Sequence, residues 1–186
     1  SEHKIQIANN TGGLSLSADK LTINHVNIEG NTGAAGLSYN NHGSSSTENT
    51  INDLIIKDNT FSGTNTYGIN ADFSSNNGEL TISNSTIEGN TFGGTANGSA
   101  PILMKGKNTT SSKLTLNNVT IKDNNWDLTK TGFKTSAGAI SAPNAALVIN
   151  NSTIQNNVTT GSGAINSSAG TRNVEITDRK STRLNS

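Results

Sequence analysis

Two aspartates carry the clearest hint of chemistry in this 186-residue chain. Asp58 and Asp123 each follow an Ile-Lys pair and precede an Asn, in the matching stretches Ile56–Asn59 and Ile121–Asn124. Paired carboxylates can act as general acid and general base, and a gap of roughly 6.5–9.5 Å between them admits the water that an inverting glycosidase uses. The rest of the catalytic repertoire is thin. His3, His25 and His42 lie in unrelated contexts without metal-ligand spacing, and read as solvated turn residues. The chain has no cysteine, hence no thiolate zinc site and no disulfide. It contains no Gly-x-Ser-x-Gly elbow and no Walker-type phosphate loop. No metal and no cofactor are expected. Arg172 is the only arginine before residue 178, which leaves no guanidinium cluster to clamp a polyuronate. Sequons at Asn84, Asn108, Asn118 and Asn151 follow from a composition with thirty asparagines and carry no argument.

Whatever holds these residues must be built from unusual material. Apolar residues make up 30% of the chain, against roughly 45–50% in ordinary globular domains when glycine is counted. Helices with broad Leu-rich stripes would lack side chains to bury. With 14% charged residues the chain is not a charge-driven disordered segment either. Lys+Arg and Asp+Glu balance at 13 each, giving no electrostatic case for nucleic acid or an anionic membrane. No apolar run approaches the ~20 residues of a membrane-spanning helix, so no membrane insertion of this segment is expected. The opening residues show no signal-peptide pattern.

Internal repetition supplies the architecture. Five segments align without gaps: Ile23 to Asn31, Ile51 to Asn59, Ile82 to Asn90, Leu116 to Asn124 and Ile149 to Asn157. A partial copy opens the chain at Ile5 and Ile7, and another begins at Val174 and Ile176. Successive offsets are 28, 31, 34 and 33 residues, then 27. Within each unit, Ile, Leu and Val alternate with Thr, Ser and Asn, which is the period-two signature of strands. A third apolar stretch follows each variable loop, as in Gly68-Ile69 and Gly138-Ala139-Ile140. Three short strands per unit predict an all-β, right-handed parallel β-helix of about six coils. At about 4.8 Å per coil the column is roughly 29 Å long.

Two columns of residues stand out in that register. Asn10, Asn31, Asn59, Asn90, Asn124 and Asn157 share one position. They read as a corner that uses the tolerance of Asn for left-handed backbone, and as a stacked amide ladder, rather than as a ligand site. The row Glu29, Lys57, Glu88, Lys122, Gln155 places opposite charges one coil apart, which selects register. Asp58 and Asp123 then lie two coils apart, roughly 9.6 Å, at the edge of the inverting range. Both recur as repeat positions, so the repeat explains them more simply than a unique site does. Trp126 and Phe92 follow the corner Asn and read as an external aromatic stack over the turn, with a sugar platform as the alternative.

The main rival fold is a leucine-rich repeat, since Ile51 to Phe61 matches its consensus. Most units are longer than the 20–29 residues of that repeat, and none carries the Leu periodicity of a convex helix. Residues 178–186, Asp-Arg-Lys-Ser-Thr-Arg-Leu-Asn-Ser, look like a translated sequencing-library adapter. The expected organisation is therefore a β-helix fragment of a longer protein over residues 1–177 and a non-native tail over 178–186.

Gly-Ala-Ile at 138–140 and 163–165, with Ile-x-x-Asn-x-Phe/Trp at 56–61, 87–92 and 121–126, resembles the repeats of bacterial autotransporter passengers. The polymorphic outer-membrane proteins are the nearest family by these motifs. Ile stands where those proteins often have Phe, and Pro101 replaces the usual small residue. The resemblance implies a secreted, pectin-lyase-like β-helix at a bacterial cell surface, delivered by a C-terminal β-barrel elsewhere in its own chain. It implies a stalk or an adhesin more than an enzyme. A polysaccharide lyase or glycoside hydrolase fragment is the alternative. A host or neighbouring-cell glycan or protein is the expected partner. Contact is expected at the loops Thr60–Tyr67, Thr91–Ala100 and Asn125–Ala137, with Tyr67, Trp126 and Phe133 as anchors.

Overall fold

The computed structural model describes residues 4–43, 47–95, 99–107, 112–127, 129, 137–159, 163–168 and 173–178. Short apolar/polar alternations broken by Asn, Asp or Gly give strands joined at sharp bends, and the described residues contain no helix. The chain opens with β1 (Ile5–Ala8) and β2 (Leu14–Ala18). The next turn carries β3 (Thr22–Glu29), β4 (Thr32–Gly33) and β5 (Ala35–Asn41), and the one after it β6 (Glu48–Lys57), β7 (Thr60–Gly63) and β8 (Tyr67–Asp72). Then come β9 (Glu79–Ser83), β10 (Thr86–Glu88), β11 (Thr91–Gly94) and β12 (Ala100–Lys105). A further turn holds β13 (Lys113–Asn117), β14 (Thr120–Lys122), β15 (Asn125–Trp126) and β16 (Ile140–Pro143). The described chain ends with β17 (Ala146–Asn150), β18 (Thr153–Gln155), β19 (Ile165–Ser168) and β20 (Val174–Thr177).

Every strand pairs in parallel with its equivalent one turn away, forming a β-solenoid. The first sheet has ten strands and is bent, the second has four (β4, β7, β11, β15), and the third has six (β2, β5, β8, β12, β16, β19). Its register is the one the repeat alignment gives: Ile23 pairs with Ile51, Ile51 with Ile82, Ile82 with Leu116, Leu116 with Ile149, and Ile149 with Ile176. Among the described residues four turns are complete, with strands in all three sheets. The remaining strands form incomplete turns at either end, so the expected six coils become four whole ones and parts of others.

Bends fall where the backbone takes a positive φ. In one column these residues are His25, Asp53, Asn84, Asn118 and Asn151, with φ between 47° and 57°. There β3 and β6 run through the bend unbroken, whereas later turns split into β9/β10, β13/β14 and β17/β18. A second column holds Asn9, Gly30, Asp58, Gly89, Asp123 and Asn156, with φ between 52° and 64°. This second column corrects the sequence reading. The left-handed residue is the one before each ladder asparagine, and the ladder residues themselves are not left-handed.

Stacking supplies the core. Ile28, Ile56, Ile87 and Ile121 form one row and are each 0% exposed. Burying one such side chain stabilises by about 1.5–3 kcal/mol. Toward either end of the described residues the stacking opens. Ile5 in β1 and Ile176 in β20 are 65% and 63% exposed.

Candidate functional site

The ladder asparagines are occupied by the backbone. Asn59 Nδ2 donates to Asn90 Oδ1 at 2.8 Å, and Asn90 Nδ2 donates to Asn124 Oδ1 at 3.0 Å. The same oxygens accept the main-chain N–H of the preceding turn: Asn59 N donates to Asn90 Oδ1 at 3.0 Å, and Asn90 N to Asn124 Oδ1 at 3.2 Å. Each amide also reaches back to a carbonyl, Ile28 O for Asn59 and Ile56 O for Asn90. The pattern runs from Asn10 through Asn31 to Asn157. Asn31, Asn59, Asn90 and Asn124 are at most 1% exposed. In a site closed to water, these amides satisfy groups that each bend would otherwise leave unpaired.

Asp58 and Asp123 fill left-handed backbone positions, a conformation that Asn, Asp and Gly adopt more readily than other residues. Asp123 Oδ1 accepts from Asn156 Nδ2 at 3.1 Å. Asp58 lies over Gly89, where a Cβ would sit 2.6 Å from its Oδ1. Gly89 thus combines a positive φ with a close approach from the neighbouring turn. Beside this column, Lys57 Nζ bridges Glu29 at 3.0 Å and Lys122 Nζ bridges Glu88 at 3.0 Å. The Lys57 ammonium, helped by Asn27, lowers the Glu29 carboxyl pKa, and Glu29 in turn raises that of Lys57. Glu88 raises Lys122 in the same way.

The aromatic residues lie elsewhere than the sequence reading placed them. Phe61, Phe92 and Trp126 stack along the second sheet with ring centroids 5.3 and 4.9 Å apart. Phe92 is 0% and Trp126 4% exposed, so the stack is internal core. The stretches read as wholly loop begin with a strand of the second sheet, and that strand turns the rings inward. Trp126 is therefore not an exposed anchor. Tyr67 opens β8 and is also buried, with desolvation raising its hydroxyl pKa. Phe133 lies outside the described residues, as does His3.

Polar side chains also cluster in two places the sequence did not indicate. The hydroxyl of Tyr39, fully buried, lies 2.9–3.0 Å from three acceptors, Asn41 Oδ1, Asn49 Oδ1 and the Ala18 carbonyl, and has one proton to donate among them. Asn49 stands where the next turns have Leu80 and Leu114, and its Oδ1 accepts the Leu21 N–H at 2.9 Å. This closed cluster acts as an internal polar plug. At the first bend, Asp53 joins His25 Nδ1 (2.6 Å) and Lys4 Nζ. Lys4 first and His25 second hold the Asp53 carboxyl below the usual carboxylate range. The other histidine described, His42, donates its backbone N–H to the Ala18 carbonyl. Among the described residues, no group of three His, Cys, Asp or Glu side chains is placed to hold a metal ion.

One cleft opens on the outward face of the third sheet. It measures about 350 Å³ and is lined by residues 12–15, 34, 35, 38, 67 and 70. Ser15, Ser38 and Asn70 are register partners there in three successive turns. In the next two turns the same outward row is closed: Leu103 and Ser141 are 2% and 3% exposed. Comparison with known families, characterised proteins and solved structures gives no match.

Proposed function

We propose that this chain is a non-catalytic segment of a secreted or cell-surface β-helix, serving as a stalk or an adhesive passenger. The observation that carries this reading is the fate of the recurring polar residues. The asparagine ladder satisfies bends, Asp58 and Asp123 occupy left-handed backbone, and the Glu/Lys row pairs turn to turn. Each of these positions has a structural reason to recur that involves no substrate. The Gly-Ala-Ile and Ile-x-x-Asn-x-Phe/Trp motifs support a kinship with autotransporter passengers and a place on a bacterial outer surface. Such a segment would work within a longer chain that carries a β-barrel. It would meet a glycan or protein on a host or neighbouring cell.

The enzyme reading, a fragment of a polysaccharide lyase or glycoside hydrolase, has one test in common with this proposal. Glycan or protein binding that survives Asp58→Ala and Asp123→Ala supports the passenger. Loss of that binding when residues 128–136 become a Gly/Ser linker, with the buried Trp126 and Ala137 kept, would put the contact in that loop. Turnover of a polysaccharide that disappears with either aspartate overturns the proposal in favour of the enzyme.

A further inference from the structure

From the cleft we infer that this solenoid binds a neutral carbohydrate at one defined place, formed by Gly12, Ser15, Ser38, Tyr67 and Asn70. This goes beyond the passenger reading and stands on separate observations. At about 350 Å³, the cleft falls at the lower end of small-molecule sites, which span roughly 300–1,000 Å³. None of the described side chains that line it is charged. An anionic or cationic ligand would lose hydration there without gaining a counter-charge, which selects for neutral partners.

The polar groups are arranged for hydroxyls. Ser15, Ser38 and Asn70 present two hydroxyls and an amide in a line, one per turn. Strand spacing puts them about 4.8 Å apart. Among the described residues, Asn70 Nδ2 makes only a long hydrogen bond to Ser38 Oγ, at 3.3 Å, and its Oδ1 is buried without a partner. Buried polar atoms in native structures are nearly always paired, so this oxygen calls for a donor. A sugar hydroxyl lodged beside Ser38, with a small swing of the amide, supplies one. Tyr67, 7% exposed, reaches the cleft only at its edge, so the hydroxyl rim of a pyranose makes the main contact and its apolar C–H face a smaller one. Two features keep the cleft open. A side chain at Gly12 would meet nothing within 4 Å, and Gly12 has no positive φ, so this edge is empty space rather than strained backbone. The closed positions Leu103 and Ser141 confine the open part of the row to the turns nearest β2.

Saturation-transfer NMR on the full chain, with the methyl glycosides of glucose, galactose and N-acetylglucosamine as probes, tests this. Transfer is expected from at least one neutral glycoside, and much less from glucuronate or glucosamine. Gly12→Tyr, which fills the mouth, should weaken the interaction by at least about tenfold at an unchanged unfolding midpoint. Ser38→Ala, a milder change, should weaken it in the same direction. Replacing residues 128–136 with a Gly/Ser linker, which keeps the buried Trp126 and Ala137, should leave it intact. No transfer from any neutral glycoside, undiminished transfer in both variants, or a preference for glucuronate would overturn the site. Loss on loop replacement with normal binding by Gly12→Tyr would remove the cleft while leaving the passenger reading in place.

Discussion

Two asparagine ladders climb this solenoid, one inside and one outside. The inner ladder links Asn31, Asn59, Asn90 and Asn124 through amide contacts of 2.8–3.1 Å. The outer one links Asn24, Asn52, Asn84 and Asn118 at 2.7–2.9 Å. Bond lengths do not separate them. Surroundings do: the inner amides are sealed from water and also serve the main chain, whereas the outer contacts lie at the surface. Even the direction differs. Each inner amide donates to the next turn, and each outer one donates to the turn before. Recurrence alone therefore says that a residue stacks. How much it stabilises depends on whether water can replace the bond when the residue is removed.

The largest effects should follow from opening the interior. Phe92→Ala removes the middle ring of the aromatic stack and should cost about 3–5 kcal/mol in urea unfolding. A near-neutral result would mean the stack is not core. Asn59→Ala takes the partners from Asn31 N and the Ile28 carbonyl and one of three contacts from Asn31 Nδ2, and should cost about 3 kcal/mol. Asn52→Ala breaks two outer contacts in the same turn and should stay within about 0.5 kcal/mol of the parent. Equal losses for Asn59→Ala and Asn52→Ala would break the comparison between the ladders.

Smaller effects probe the exposed charge row. Lys57→Glu places like charges beside Glu29 and Glu88, and should lower the thermal midpoint more than Lys107→Glu, which lies outside the repeat. Equal shifts would remove the register argument. Acidification supplies the gentlest test. Glu29 and Asp53 have folded pKa values below their ordinary ones. Their contribution is thus present above the ordinary carboxylate pKa and fades as pH falls through the depressed values. The midpoint should drop in that acid window, and Asp53→Asn should flatten part of the drop. A midpoint that rises there would reverse the sign.

Much of this was legible in the residues. The rows of Ile and Leu announced parallel stacking, because gapless alignment of the units sets the register that the strands adopt. The second sheet was missed because its strands are two to four residues long. Its only trace was a small residue followed by an aromatic at Thr60-Phe61, Thr91-Phe92 and Asn125-Trp126, which read as loop. The left-handed column was placed one residue late, since Asn, Asp and Gly all tolerate that backbone and lie side by side. Gly30 and Gly89 held the distinguishing signal: glycine enters the positive-φ column and never the ladder, where an amide is required. The cleft was invisible, because it is assembled from three turns and depends on what leaves Gly12 open.

The central claim is that the recurring aspartates are chosen by backbone conformation and not by chemistry. Unfolding of the double variant Asp58→Asn, Asp123→Asn, set beside Asp58→Val, tests it most directly. Asparagine keeps the left-handed preference and a hydrogen-bonding oxygen, so the double variant should unfold within about 0.5 kcal/mol of the parent. Valine is β-branched in a left-handed position and should cost at least about 1–2 kcal/mol. A double variant as damaged as the valine one would contradict the account, and would return both carboxylates to the search for a catalytic role.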